Sequence, residues 1–210
     1  MNILGFQRQG YFVEMGGLDG LLFSNTLVME LCMGWKGALI ESNPQSFAQL
    51  TQNRPKTANI GKAACNTTHG SLRLQGRGAV SGNLELMNAN FRTYFADRLT
   101  GAFEVPCSRF GDLLDEARAP WHIDFWSLDV EGAELRALRG ARATLRSARP
   151  LLVFENNHLS NDTQYGTAAL LEAHGYVKRD EVEHNEVWAP ALVLSGRRLR
   201  RPHRSRPVLL

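Results

Sequence analysis

The sequence lacks any long apolar segment. No hydrophobic run in its 210 residues approaches the ~18 residues that a membrane-spanning helix requires, and no secretory signal is legible before Tyr11. The hydrophobic fraction of 43% and the charged fraction of 21% are typical of a soluble globular protein with one domain of ordinary size. These features argue against a transmembrane protein and predict a cytoplasmic location.

Cysteine is also scarce. The three cysteines, Cys32, Cys65 and Cys107, are odd in number and widely spaced, and no pair has the spacing of metal ligands. We therefore expect three reduced thiols, as in a protein of a reducing compartment.

Basic residues are scarce outside the C-terminus. The formal net charge is +3, but six of the 24 lysines and arginines lie in the last fourteen residues, which leaves 18 against 21 acidic residues. We predict one mildly acidic domain over residues 1–195 and a basic, disordered tail over residues 196–210. A basic tail on such a domain does not predict a specific nucleic-acid partner.

Two phosphate-binding fingerprints are absent from the glycine-bearing turn at residues 16–20. The dehydrogenase pattern G-x-G-x-x-G fails because Leu18 stands where the second glycine is needed. The nucleotide-hydrolase loop fails because no Gly-Lys pair follows. An NAD(H)-dependent oxidoreductase is therefore disfavoured, and the turn by itself is either a ligand loop or a tight connection.

Strand and helix signals alternate along the chain. Apolar runs of strand length occur at 11–15, 38–41, 58–65, 122–130 and 151–156, and segments of helical periodicity lie between most of them. Asn43-Pro44 indicates the start of one such helix. Two late strands, 176–179 and 186–195, have no helix between them and predict a hairpin. The pattern favours an α/β fold in which helices cover both faces of a mostly parallel sheet with an antiparallel edge.

Residues 66–104 are the least regular part of the chain. "SLRLQG" alternates like a short strand, and Phe91, Tyr94 and Phe95 form an aromatic cluster in the sequence. We interpret this segment either as an acceptor pocket or lid, or as an ordinary insertion that packs its own aromatic residues.

Polar side chains occur where the predicted strands end. They are Glu14, Glu41, Asp129, Glu131, Glu155, Asn156 and His158. Ligands of such sheets bind beyond the carboxyl ends of the strands, and an acid at the end of the second strand is placed to accept hydrogen bonds from ribose hydroxyls. The alternative for Asp129 and Glu131 is a role at the N-terminus of the helix that begins near residue 132.

Several blocks of the sequence resemble one known family. "FVEMGGLDG", "GWKGALIESNP", "IDFWSLDVEGAELRALRG" and "LLVFE" are similar to the FkbM-type methyltransferases, which are class I S-adenosylmethionine-dependent enzymes. The resemblance covers roughly residues 11 to 195. It implies a Rossmann-like, seven-stranded, mostly parallel sheet with an antiparallel last strand in a three-layer sandwich.

The resemblance also implies a cofactor site. The methionine half of S-adenosylmethionine would lie on Glu14, Gly16, Gly20 and Asn25, the ribose on Glu41 and Ser42, and the adenine beside Ala64 and Cys65. Asp129 and Glu131 would border the methyl-transfer site. A helix N-terminus favours the cofactor carboxylate, and an acid suits two vicinal hydroxyls.

The expected reaction is O-methylation of a hydroxyl group of a sugar or small metabolite by in-line displacement. Such an acceptor needs a base, and His158 is our first candidate because a neutral imidazole accepts a proton near pH 7. Asp129 is the second, either as the base or as an orienting acceptor. In a third arrangement, Asp129, Glu155 and Asn156 hold a Mg²⁺ ion that lowers the pKa of the acceptor.

A different class of function stays open. The first strand begins ten residues after Met1, whereas many class I methyltransferases have earlier helices that cover the cofactor. The chain is then a fragment, a minimal form, or a protein whose lid another subunit supplies in a homo-oligomer. A non-catalytic cofactor-binding or scaffold protein with the same fold is the alternative function.

Overall fold

The computed structural model describes residues 8–156 and 161–191, with Asn161 and Asp162 described for their backbone alone. These residues form ten strands, seven α-helices and one short 3₁₀ helix. The strands are β1 (Tyr11–Met15), β2 (Lys36–Ile40), β3 (Ala58–Ile60), β4 (Ala63–Ala64), β5 (Gly70–Gln75), β6 (Ala102–Ser108), β7 (Phe125–Leu128), β8 (Leu151–Glu155), β9 (Tyr176–Val182) and β10 (Asn185–Pro190). The α-helices are α1 (Leu27–Met33), α2 (Pro44–Asn53), α3 (Ala89–Tyr94), α4 (Phe110–Glu116), α5 (Glu134–Gly140), α6 (Arg142–Ser147) and α7 (Asn161–Ala173), and the 3₁₀ helix is Gly78–Val80.

Seven strands form the main sheet in the order β3-β2-β1-β7-β8-β10-β9. The first five in this order run parallel, and β10 pairs antiparallel with both β8 and β9. This arrangement confirms the predicted seven-stranded sheet with an antiparallel edge and the predicted late hairpin.

Apolar residues cover both faces of the central strands. Successive side chains of a strand point to opposite faces, so Phe12 joins one buried cluster and Val13 the other. The larger cluster includes Trp126, whose ring stacks on Phe110 at a centroid distance of 4.1 Å. Because the sheet is buried on both faces, all four residues of "FWSL" in β7 are buried, Ser127 included.

Helix α1 forms where its spacing predicts, yet its apolar residues do not all face the core. Met29 and Met33 pack on the cluster around Phe12, whereas Val28 and Leu31 are 64% and 71% exposed. Gly34 ends the helix in the left-handed conformation, with φ of 69°. Within the described part of the chain, no helix combines the length and the apolar character needed to cross a membrane.

A second sheet, which the sequence did not predict, contains β4, β6 and β5 in that order. Strand β5 and the start of β6 belong to residues 66–104, which were expected to be irregular. The 3₁₀ helix and α3 lie in the same segment. Its aromatic residues do pack on one another: the ring centroids of Phe91 and Phe95 are 4.7 Å apart, as are those of Tyr94 and Phe95.

The second sheet is closed by a disulfide bond between Cys65 and Cys107. The expectation of three reduced thiols is therefore wrong for these two residues, and Cys32 is the free, exposed thiol. The two cysteines come together because Ala64, next to Cys65, pairs with Ser108, next to Cys107, in the parallel β4–β6 ladder. The bond joins residues 42 apart in sequence, and the pairing that allows it has no local signal.

We expect reduction of the disulfide to lower the free energy of unfolding by about 2–4 kcal/mol, because the bond restricts the unfolded chain. Urea unfolding of the wild type with and without reductant measures this, and Cys107→Ser should reproduce the reduced value. Cys32→Ser, which removes the exposed thiol, is the control. Equal unfolding free energies with and without reductant would contradict the prediction.

Candidate functional site

A cleft opens where three neighbouring strands end. Strands β2, β1 and β7 are adjacent, and their last residues, Ile40, Met15 and Leu128, are in register. The pairing continues into the loops, because Gly16 N donates to Ile40 O at 2.9 Å and Asp129 N donates to Met15 O at 3.0 Å. The loops that follow the three strands are thereby fixed side by side.

Most residues predicted for the site line this cleft. They are Glu14, Gly16, Asn25, Glu41, Ser42, Ala64, Asp129 and Glu131. Gly20 and Cys65 are not among the lining residues: a Cβ at Gly20 would run into the side chain of Arg54, and Cys65 lies in the disulfide bond. Glu155 and Asn156 do not line the cleft either. His158 lies outside the described residues.

Glu41 connects the turn after β1 with the start of α2. Its Oε2 accepts a hydrogen bond from Leu18 N at 2.8 Å, and its Oε1 accepts one from Asn43 N at 2.6 Å. Burial raises the pKa of Glu41 to about 7, although its backbone hydrogen bonds act in the opposite direction. A carboxylate has about four acceptor positions, so Glu41 can still accept a bond from a ligand.

Glu14 organises the loop that leads into α1. Its two oxygens accept hydrogen bonds from Ser24 Oγ at 2.8 Å, Asn25 N at 2.7 Å and Thr26 Oγ1 at 2.5 Å. Burial raises the pKa of this carboxyl group, and the three bonds together with the charge of Arg54 oppose that rise. The loop residue Asn25 in turn donates from Nδ2 to Ser127 Oγ at 2.9 Å, which fixes its amide over β7.

Arg54 supports the glycine turn from below, although no pattern in the sequence points to it. Its side chain is 2% exposed and lies beneath the turn, where Nη1 donates to Gly20 O at 2.9 Å. The guanidinium also forms an ion pair with Glu30 of α1, with Nε to Oε2 at 2.5 Å. An arginine that directly follows a helix is usually exposed to solvent. No local pattern in the sequence indicates that the glycine turn at residues 16–20 folds over Arg54.

The glycine turn is shaped by protein contacts. Gly16 has φ of +84°, and a Cβ on it would overlap the carbonyl oxygen of Asp129. The turn therefore approaches the end of β7 closely, and any side chain at position 16 would separate the two loops. This is the physical requirement behind the first glycine of "EMGGLDG".

The loop after β7 carries Asp129 and Glu131. The N-cap position of α5 is Ala133, which makes no side-chain cap hydrogen bond, so both acids lie before the cap position of the helix. The buried Glu134 accepts a hydrogen bond from Val130 N at 3.0 Å and closes the loop. Glu131 has φ of 54°, a left-handed conformation that costs energy for a residue with a side chain.

Residues 78–86 form a roof over the cleft. A Cβ at Gly132 would lie 2.7 Å from Leu86 O, and one at Gly82 would lie 2.7 Å from Glu131 Cβ. The roof thus rests directly on the loop after β7. The cleft encloses about 90 Å³, less than the ~300 Å³ of small ligand sites, so a ligand as large as an adenosyl compound requires outward movement of the roof.

Two of the three residues predicted for Mg²⁺, Glu155 and Asn156, do not line the cleft that contains Asp129. Asn156 Nδ2 donates to Glu186 Oε1 at 3.0 Å, and Asn156 N donates to His184 O at 2.8 Å, so this residue is bound to the β9–β10 hairpin. Within residues 8–156 and 161–191 there is no cluster of three His, Cys, Asp or Glu side chains able to hold a metal ion. The Mg²⁺ arrangement stays a prediction from the sequence.

Comparison with known proteins gives one family. The model of the methyltransferase FkbM domain matches residues 14–179 of the chain. No curated protein sequence matches it significantly.

Solved structures share the fold at low identity. A methyltransferase FkbM from Methylobacillus flagellatus KT is 17% identical with a TM-score of 0.56, and the match covers 86% of this chain and 43% of that one. The methyltransferase domain of METTL16 is 10% identical with a TM-score of 0.50, covering 90% of this chain and 64% of that one. The chain thus spans less than half the length of the FkbM structure.

We expect a pH-dependent contribution of Glu41 to stability. Its folded pKa of about 7 exceeds the ordinary value, so the folded state binds more protons between the two values and stability falls as pH rises through this window, by roughly 3 kcal/mol. The unfolding free energy of the wild type minus that of Glu41→Gln should decrease as the pH is raised from 5 to 8. The control Glu172→Gln removes an exposed carboxylate and should show no such trend. A pH-independent difference for Glu41→Gln would refute the assignment.

Replacing Arg54 with Met should destabilise the protein by about 3 kcal/mol or more, because Glu30 loses its buried partner. Chemical denaturation measures the loss. Lys56→Met removes an exposed charge two residues away and should change stability by less than about 0.5 kcal/mol. Similar values for the two variants would show that Arg54 does not support the turn.

Proposed function

Because the chain belongs to the FkbM-type family of class I S-adenosylmethionine-dependent methyltransferases, we propose that its cleft binds S-adenosylmethionine. We further propose that the methyl group goes to a hydroxyl of a sugar or small metabolite. The observation that carries the proposal of cofactor binding is the buried carboxylate of Glu41.

The geometry of Glu41 suits a ribose. The carboxylate stands at the end of the second strand, where ribose hydroxyls bind in related sheets. Two backbone N–H groups hold it in place, so little ordering entropy is lost when a ligand binds. An ionised acid in such a position forms charge-assisted hydrogen bonds with both vicinal hydroxyls.

The charge of the cleft favours a cationic ligand. Four carboxyl groups line it, those of Glu14, Glu41, Asp129 and Glu131, and the one basic side chain among its described lining residues is Lys62. Lys62 is paired with Glu116 at 2.5 Å. A sulfonium with an amino group suits this field, whereas the pyrophosphate of a dinucleotide would be repelled.

The remaining walls fit the other parts of the cofactor. Ala63, Ala64, Leu72 and Leu74 provide an apolar surface for the adenine ring. Gly16 and the Asn25 segment, held by Glu14, border the opposite end, where we place the methionine half.

When bound, S-adenosylmethionine supplies an electrophilic methyl group on a positively charged sulfur. The protein then has to align an acceptor hydroxyl, and such positioning contributes ~7–11 kcal/mol in well-oriented intramolecular reactions. Asp129 lies in the cleft and is our candidate for orienting the hydroxyl or accepting its proton. His158 stays a candidate base from the sequence.

We expect S-adenosylhomocysteine to bind the folded protein, with Glu41→Ala at least tenfold weaker because hydrogen bonds to a charged acceptor are lost. Isothermal titration calorimetry at pH 8 measures both affinities, and Glu172→Ala is the matched exposed control. Asp129→Asn should lower methyl transfer more than it lowers binding. Unchanged affinity of Glu41→Ala would overturn the ribose assignment.

A mass-spectrometric assay with S-adenosylmethionine and a panel of glycosides tests the chemistry separately. A mass gain of one methyl group on an acceptor hydroxyl supports O-methylation. Tight cofactor binding with no transfer to any glycoside would instead favour the non-catalytic binding protein.

A further inference from the structure

A second, open cavity lies beside Cys65, the residue that follows strand β4. It measures about 450 Å³ and is bordered by the Cys65–Cys107 disulfide, residues 66–72 and helix α5. Leu72 lines both this cavity and the cofactor cleft, whereas Ala64 lines the cleft and the next residue, Cys65, lines the second cavity. The two spaces are therefore neighbours separated by one strand and one side chain.

Two arginines of α5 give this cavity its charge. Arg136 and Arg139 are three residues apart and lie on the same face of the helix. No acidic residue lines the cavity, and among the described residues no ion pair involves either guanidinium. Two like charges at this spacing repel each other, and an anion bound between them would remove that repulsion.

Neutral donors complete the lining. Asn66, Thr67 and Ser71 contribute an amide and two hydroxyls, and Thr67 Oγ1 lies 3.3 Å from Cys65 Sγ. The walls are tied together: the disulfide joins β4 to β6, and a Cβ at Gly140 would lie 2.5 Å from Cys65 O, so the end of α5 rests on the same strand. The disulfide and α5 thus form connected walls, and the neutral donors lie at their exposed edge.

We propose that this cavity binds the phosphate group of a small organic molecule. The guanidinium groups of Arg136 and Arg139 match phosphate oxygens in charge and in planar, bidentate geometry. A volume of about 450 Å³ falls within the ~300–1,000 Å³ of small-molecule sites and leaves room for more than the phosphate. Its charge is opposite to that of the acidic cofactor cleft, so the two sites select different ligands.

Calorimetric titration at low ionic strength tests the proposal, with glucose 6-phosphate, inorganic phosphate and glucose as probes. We expect the sugar phosphate to bind more tightly than inorganic phosphate, and glucose not to bind. Arg136→Gln and Arg139→Gln should each weaken sugar phosphate binding about tenfold, as expected for a lost charge-assisted hydrogen bond. Arg142→Gln, an exposed change of equal charge at the start of α6, is the matched control.

Three results would overturn the proposal: no binding of either phosphate by the folded wild type, equal weakening by Arg142→Gln, or equal affinity for inorganic phosphate and the sugar phosphate. If a Gln variant unfolds, Arg139→Lys replaces it. This variant keeps the positive charge but lacks the planar guanidinium, and it should still weaken binding of the sugar phosphate. Titration of each variant with S-adenosylhomocysteine should give the wild-type affinity, so failure here is distinguishable from failure of the cofactor assignment.

Discussion

The buried carboxylate of Glu41 is the interaction on which the site depends. It receives hydrogen bonds from Leu18 N in the turn after β1 and from Asn43 N at the start of α2. One side chain thereby joins the turn after β1 to the start of α2, in addition to the backbone hydrogen bonds from Gly16 and Gly17 to Ile40 O. The same burial that holds Glu41 in place raises its pKa to about 7, so its charge is sensitive to pH near neutrality.

The other loop of the cleft rests on a network of buried charges. Glu14 holds residues 24–26 through three hydrogen bonds, and Arg54 supports the turn from below while pairing with Glu30. Each buried charge in this network has a partner, and loss of one partner leaves the other uncompensated. The glycine turn is therefore held on several sides, and we expect the roof formed by residues 78–86 to move when a ligand binds.

Local signals in the sequence predicted the main sheet and the acids at its strand ends, because alternation of apolar strands and periodic helices is legible over short windows. Glu41 and Asp129 were found in this way. The second sheet was missed because β4 and β6 are far apart in sequence. The disulfide, which spans 42 residues, and the displacement of Cys65 from the cleft follow from that pairing. Arg54 was missed for the same reason, since its partners in residues 20–30 are distant in sequence.

The two cavities share a wall and differ in charge, with carboxylates around the cleft and arginines in the cavity beside Cys65. The central claim concerns the acidic one: Glu41 binds the ribose of an adenosyl cofactor. A crystal structure of the protein with S-adenosylhomocysteine tests it most directly. We expect both ribose hydroxyls to lie within hydrogen-bond distance of the Glu41 carboxylate and residues 78–86 to shift outward. A nucleoside bound elsewhere, or a ribose turned away from Glu41, would contradict it.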